Sequence, residues 1–263
     1  MRIWLGLLVL WLLTATAMAV GWAWQRRHRN AGVVDVLWAA GVGTGAVLLA
    51  AIGGGAHAPR VLLALLGGAW AARLVRHLWA RVTREGEDGR YGYLRSLWGA
   101  DQRRWLSFFQ LQALLVPLFA LPFAAVAVNP RSSPRWLTAG ALLWAFAVAG
   151  EAVADAQLAR FRADPDNRAR TFRGGLWRYS RHPNYFFEWL HWFAYVALAV
   201  GSSLWALAWL GPLLMWAFLR FLSGVPWTEA QALRSRGEDY RDYQRRTPML
   251  FPWFPRRSHL TRS

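Results

Sequence analysis

Two residue types are missing from this chain of 263 residues: cysteine and lysine. Without cysteine there is no disulfide, no thiol nucleophile and no sulfur-ligated iron–sulfur cluster, and nothing follows about redox compartment. Without lysine there is no Schiff-base amine and no P-loop lysine. Acidic residues are scarce as well, with 14 Asp and Glu against 31 basic residues, every one of them arginine, for a net charge of +17. No serine lies in a Gly-x-Ser-x-Gly context and no histidines are spaced His-x-x-x-His, so neither a hydrolase elbow nor a metal centre is expected.

What the chain has in abundance is apolar sequence. Hydrophobic residues make up 56% of it, 19 tryptophans included, and several runs reach the roughly 20 residues that span a bilayer. The expected fold is therefore all-α, a single polytopic membrane domain over residues 1–263 with seven spans. They fall at about 1–24, 33–52, 61–79, 105–128, 135–160, 183–200 and 204–222, followed by a tail over 223–263. Helical periodicity returns in that tail across Trp227–Arg236 and Glu238–Tyr243. Pro117 and Pro122 are expected to kink the fourth span.

Arginine placement orients the bundle. Residues 25–32, 81–104, 160–181 and 223–263 hold most of the arginines, while the opposite side keeps only Arg2, Arg60, Arg131 and Arg135. Positive-inside topology then puts the N-terminus outside and the C-terminus in the cytoplasm. The small residues Ala15–Ala19 resemble a signal-peptide cleavage region, but Arg26, Arg27 and Arg29 behind the first span favour an uncleaved helix. Arginines confined to short loops between spans also argue against nucleic acid as the partner. Gly41-x-Gly43-x-Gly45 looks like half a dinucleotide fingerprint, yet no strand precedes it, so close helix packing is expected there.

The stretch Gly174–Glu188 passes from an arginine-rich loop into an apolar helix. Pro183 suits the first turn of that helix, and Asn184 and Glu188 follow one turn apart on one face. Cationic side chains and free N–H groups at such a boundary can hold phosphate; a positive-inside flank is the plainer explanation. Ionisable groups inside spans are costly and mark partners or wet cavities. Asp35, Arg73, Arg76, His77, Glu151, Asp155, Glu188, His191 and Arg220 all lie in or near the cytoplasmic ends of spans. Interhelical ion pairing and a common cavity both account for them. The chemistry left is acid–base work by carboxylate, tyrosine or histidine beside an anionic cofactor.

Several blocks carry a resemblance: Val34–Trp38, Gly86-Glu87-Asp88-x-Arg90-Tyr91, Glu151–Leu158, Gly175–Glu188 and Ser223–Pro226. In that order they resemble bacterial membrane proteins of the steroid 5α-reductase superfamily, over nearly the whole chain from Asp35 to Pro252. Phe187 stands where this family often has glycine. The resemblance implies NADPH-dependent reduction of a carbon–carbon double bond conjugated to a ketone, typically the Δ4 bond of a 3-oxosteroid, in a bacterial inner membrane. The lipid or steroid enone would enter from the bilayer. It places Asn184 and Glu188 at the nicotinamide end, and Glu151, Asp155 and Arg162 near the adenosine and phosphates. Arg173, Arg178, Tyr179, Arg181 and His182 join that cofactor set on charge and location.

For the substrate the resemblance puts a carboxylate at Asp35, with Trp38, Arg73 and Tyr91 nearby, and leaves catalysis to Asp35, Glu188, His77 and Arg76. Eukaryotic members also place a tyrosine on the helix after Asp35, where Arg73–Trp79 offers only arginine and histidine. A rival resemblance exists, because S-adenosylmethionine-dependent isoprenylcysteine and phospholipid methyltransferases share an Arg-His-Pro-x-Tyr turn. They usually carry Glu-Glu after the last span, and this chain has Glu229-Ala230. A non-catalytic transporter or lipid-binding module is the third possibility.

Overall fold

A computed structural model describes residues 2–167 and 169–256. Among them there is no strand, and the helices run in chain order as α1 (Arg2–His28), α2 (Val33–Ile52), α3 (His57–Arg84), α4 (Gly89–Trp98), α5 (Gln102–Ala127) and α6 (Pro134–Ala163). Then follow α7 (Pro183–Leu198), α8 (Trp205–Ala208), α9 (Leu210–Ala217), α10 (Val225–Arg236) and α11 (Glu238–Arg246), with a π-helical turn over Phe218–Leu222 between α9 and α10. Six helical stretches among the described residues are long and apolar enough to cross a membrane: α1, α2, α3, α5, α6 and the stretch Trp205–Arg236. They carry large apolar side chains such as Leu5, Leu65, Leu142 and Phe146 outward, at 59–65% exposure, which suits lipid and not water. The chain is an integral, multi-pass membrane protein.

The sixth expected span is shorter than anticipated. Its aromatic run continues to Val200, but α7 has 16 residues, below the roughly 20 that cross the hydrocarbon core untilted. A tight turn at Gly201, with φ +98°, follows it. Helix α5 by contrast runs unbroken through Pro117 and Pro122, as membrane helices permit when neighbours re-satisfy the freed backbone.

The chain divides into two compact units. The first comprises the chain up to Ala141 together with Ala194–Gly211, with α2 packed on α1, α3 and α5. Its glycines work as the sequence suggests. A Cβ on Gly43 would lie 2.2 Å from the Cβ of Ala71 on α3, one on Gly41 would lie 2.9 Å from Thr14 on α1, and one on Gly45 would meet Leu10 and Ala120. Each glycine thus lets a different neighbour approach closely, replacing the hydrophobic drive that lipid does not supply.

One end of this unit is tied by Asn129, which is 1% exposed. Its Nδ2 donates to the carbonyls of Leu198 and Val200 at 2.8 and 3.1 Å, and its Oδ1 accepts from the Arg131 N–H at 3.1 Å. Its own carbonyl accepts from the Ala56 N–H at 2.7 Å. Three turns are joined at one residue. Asn129→Ala would leave buried carbonyls unpaired, and about 2 kcal/mol of stability is the expected loss, read as a lower unfolding temperature in detergent.

The second unit comprises Leu142–Phe193 and the chain from Pro212 onward. Here α6 and α7 meet where a Cβ on Gly150 would fall 2.4 Å from the Phe187 ring. The glycine missing at position 187 is therefore answered by one across the contact. Gly150→Ala is expected to cost about 2 kcal/mol by overpacking, and a second change, Phe187→Ala, to recover part of the lost thermal stability.

Candidate functional site

In the first unit the polar segment between α3 and α5 folds back as α4. Asp88 caps it, accepting the Arg90 N–H at 2.8 Å, and Tyr91 enters a cluster with Met18, Ala31, Val33, Val34, Trp105, Phe109 and Ala113. Apolar packing thus delivers one hydroxyl to a chosen place. The Tyr91 OH donates to Asp35 Oδ1 at 2.7 Å, and the Arg90 guanidinium reaches Asp35 Oδ2 at 3.0 Å. Burial, followed by the charge of Asp35, pushes the Tyr91 phenol well above its ordinary value, so it keeps its proton and stays a donor.

The loop is braced from both sides. Asp88 also pairs with Arg81 and with Arg90. Glu87 takes two bonds from Arg95, at 2.8 and 2.7 Å, and one from the Ala31 N–H at 2.7 Å. A small surface hollow of about 10 Å³, room for roughly one water, adjoins Asp35 and is lined also by Asn30, Gly32, Arg81 and Asp88. Trp38 stands edge-on to Phe119 and Trp70 with centroids 5.2 and 6.3 Å away. Arg73 is half-buried in α3, while Arg76 and His77 are exposed and do not line the hollow. The α3 cation at the hollow is Arg81, which the sequence did not single out.

In the second unit the loop before α7 is set by Gln157. Its Oε1 accepts the Leu176 N–H at 2.9 Å. Gly175, at φ +55°, comes so close that a Cβ would lie 2.4 Å from that oxygen, so only glycine fits the turn. The Trp177 indole donates to the Ala154 carbonyl at 3.0 Å. On the helices themselves, Asn184 Nδ2 donates to Asp155 Oδ1 at 3.1 Å, and Glu188 lies 3.7 Å from the His191 ring. Glu151 is 7% exposed on the same helix as Asp155. A strip of polar groups thus runs along α6 and α7, as the spacing of Asn184 and Glu188 anticipates.

The arginines behave differently from a common phosphate-binding set. Arg173 pairs with Asp239 and Asp242 at 2.6 and 2.9 Å. Burial raises the Asp239 carboxyl, but its bonds with Thr171 and Arg173 outweigh this and hold it below the usual value. Arg181 Nε donates to Glu229 at 2.7 Å, and its NH1 donates to the carbonyls of Gln244 and Thr247. His182 Nε2 meets the same Glu229 oxygen at 3.1 Å; burial pushes its imidazole below the ordinary value despite Glu229, so it is neutral at pH 7 and Nε2–H is the donor. Arg178 is exposed, 6.0 Å from the Tyr179 ring centroid. Arg162 is exposed as well. No carboxylate among the described residues pairs with Arg160, Arg170 or Arg178, all three exposed. These are the unpaired cations around the loop between α6 and α7. Among the described residues no His, Asp and Glu cluster could hold a metal ion.

A sequence profile described as "Protein of unknown function (DUF1295)" matches residues 21–247. The chain belongs to the DUF1295 family. No curated protein and no solved structure matches it. The matched range takes in both the Asp35–Tyr91 pair and the whole junction between the Arg181 loop and α11, so both arrangements lie within the DUF1295 region.

Proposed function

We propose that this DUF1295 protein reduces a carbon–carbon double bond conjugated to a ketone in a lipid, with NADPH as the hydride donor and the Δ4 bond of a 3-oxosteroid as the model substrate. The observation that carries the reading is a buried tyrosine whose hydroxyl donates to Asp35 at 2.7 Å, with that carboxylate on the wall of a small surface hollow. The family's association with the steroid 5α-reductase-like superfamily supports it. So does the tyrosine absent from Arg73–Trp79, for which Tyr91 on α4 supplies a counterpart.

An enone accepts hydride at its β carbon only if charge building on the carbonyl oxygen is stabilised. In this reading Tyr91 is the donor to that oxygen, and Arg90 keeps Asp35 paired when the phenol turns to the substrate. Asp35 then holds and orients the tyrosine instead of donating itself. Trp38 offers an apolar face to a flat ring system.

The residues present fit NADPH, with some roles changed. Arg160 and Arg170 suit its phosphates, and the Asp155–Asn184 and Glu188–His191 strip suits ribose hydroxyls and the nicotinamide amide. Arg173 and Arg181 are already engaged and hold the protein together. When bound, NADPH supplies the hydride; the chain's own groups orient it and stabilise the oxygen. S-adenosylmethionine carries no phosphate and gives those arginines no cofactor partner.

The topology in this reading keeps α7 as a short span, with the N-terminus outside and the arginine-rich segments in the cytoplasm of a bacterial cell, where NADPH is made. Purified protein in nanodiscs, screened against lipid enones by NADPH absorbance, tests the proposal. Oxidation of NADPH that depends on both enone and protein is the expected result. Protection from thermal unfolding by S-adenosylmethionine and none by NADPH would replace it with methyl transfer.

A further inference from the structure

The last described segment, Thr247–Arg256, forms no helix, yet its backbone is pinned. Pro248 and Leu250 carbonyls accept from the Arg181 N–H at 2.9 Å and the Ser180 hydroxyl at 2.8 Å. The Trp253 N–H donates to the Tyr179 carbonyl and the Arg256 N–H to the Arg246 carbonyl, both at 2.9 Å. Leu250 turns inward at 1% exposure, whereas Phe251, Trp253 and Phe254 stand outward at 53, 71 and 72%. Three large rings held out by a fixed backbone are not a wandering tail, and water is a poor environment for them.

Their surroundings indicate what covers them. Phe251 packs on Trp189 and Phe186 with centroids 5.4 and 6.2 Å away, in the first two turns of α7, where the polar loop passes into apolar helix. Phe254 lies edge-on to Tyr179 at 5.9 Å. Arg178, 6.0 Å from the Tyr179 ring centroid, and Arg256, two residues past Phe254, are exposed and without a carboxylate partner among the described residues. Indole and phenyl rings beside guanidinium groups are the composition enriched at the boundary of a bilayer, where rings sit at headgroup depth and cations meet anionic lipid.

We propose that Phe251, Trp253 and Phe254, with Arg178 and Arg256, form an interfacial anchor that seats the C-terminal strap in the headgroup layer of an anionic membrane. The inference does not depend on the reductase reading. The absence of cysteine makes it directly testable, since Trp253→Cys and Phe254→Cys each introduce a single site for a nitroxide label in the full-length protein. Power-saturation measurements in nanodiscs of phosphatidylcholine and phosphatidylglycerol compare access of oxygen and of a water-soluble nickel complex, with Asp166→Cys in the exposed loop after α6 as the aqueous reference. Labels at 253 and 254 are expected to favour oxygen several-fold more than the label at 166. Nickel access equal to that at 166 would overturn the anchor, as would strong dipolar coupling between copies labelled at 253, which would assign the rings to a second molecule. An unchanged reading in pure phosphatidylcholine would overturn the role given to Arg178 and Arg256.

Discussion

Glu229→Ala is expected to lower stability by about 3 kcal/mol, the near end of the range for stripping one partner from a buried ion pair. The carboxylate is the point where three donors meet: Arg181 Nε at 2.7 Å, His182 Nε2 at 3.1 Å and Gln244 Nε2 at 2.8 Å. The Arg181 side chain is only 12% exposed, so its charge cannot be returned to water when the partner goes. The carbonyls of Gln244 and Thr247 would still accept from it, but they carry no counter-charge. Release should begin at the strap, and trypsin should then cut after Arg245 and Arg246 well before the bundle unfolds. Glu229→Gln keeps the shape and one acceptor and should lose less. A Glu229→Ala protein that melts and is cut like the parent would mean that Glu229 does not fasten the strap to the Arg181 loop.

That junction also marks the limit of what could be read from residue order. Arg173 and Arg181 were legible as cations at a helix start, and a cation beside an orphan N–H group reads as a phosphate site. Their acids lie 69 and 48 residues further on, on helices whose position no local pattern gives, so the neutralisation was invisible. Glu229 registered only where the rival methyltransferases carry an acidic pair, and Gln157 only as a member of the Glu151–Leu158 block, because a half-buried amide that accepts one backbone bond has no signature of its own. Period and composition did better. Six of the seven apolar runs located stretches long enough to cross a membrane, Gly41, Gly43 and Gly45 marked the close contacts of α2, and the tail periodicity gave α10 and α11. The Gly86–Tyr91 motif was visible as a block. Its fold into a separate helix was not, and that step is what carries Tyr91 back to Asp35 instead of leaving the partner to be sought on α3.

Tyr91→Phe is the substitution with the largest expected effect on turnover. With the best enone of the screen, kcat should fall by about 10²- to 10³-fold, the usual consequence of removing one donor to a developing oxyanion. Affinity for NADPH should barely move, because the phenol is assigned to the substrate oxygen alone. Stability should change little, since the ring still fills its place among Met18, Val34 and Trp105 and Asp35 keeps Arg90 at 3.0 Å. Asp35→Asn separates the two roles of the pair. An asparagine can still accept from Tyr91 but cannot hold Arg90 by charge, so turnover should drop by less than in Tyr91→Phe and again by more than NADPH affinity. If Asp35→Asn instead weakens NADPH binding and spares kcat, the carboxylate belongs to the cofactor. If Tyr91→Phe turns over at the parental rate, the phenol only packs, and the oxygen must find its donor elsewhere along α3.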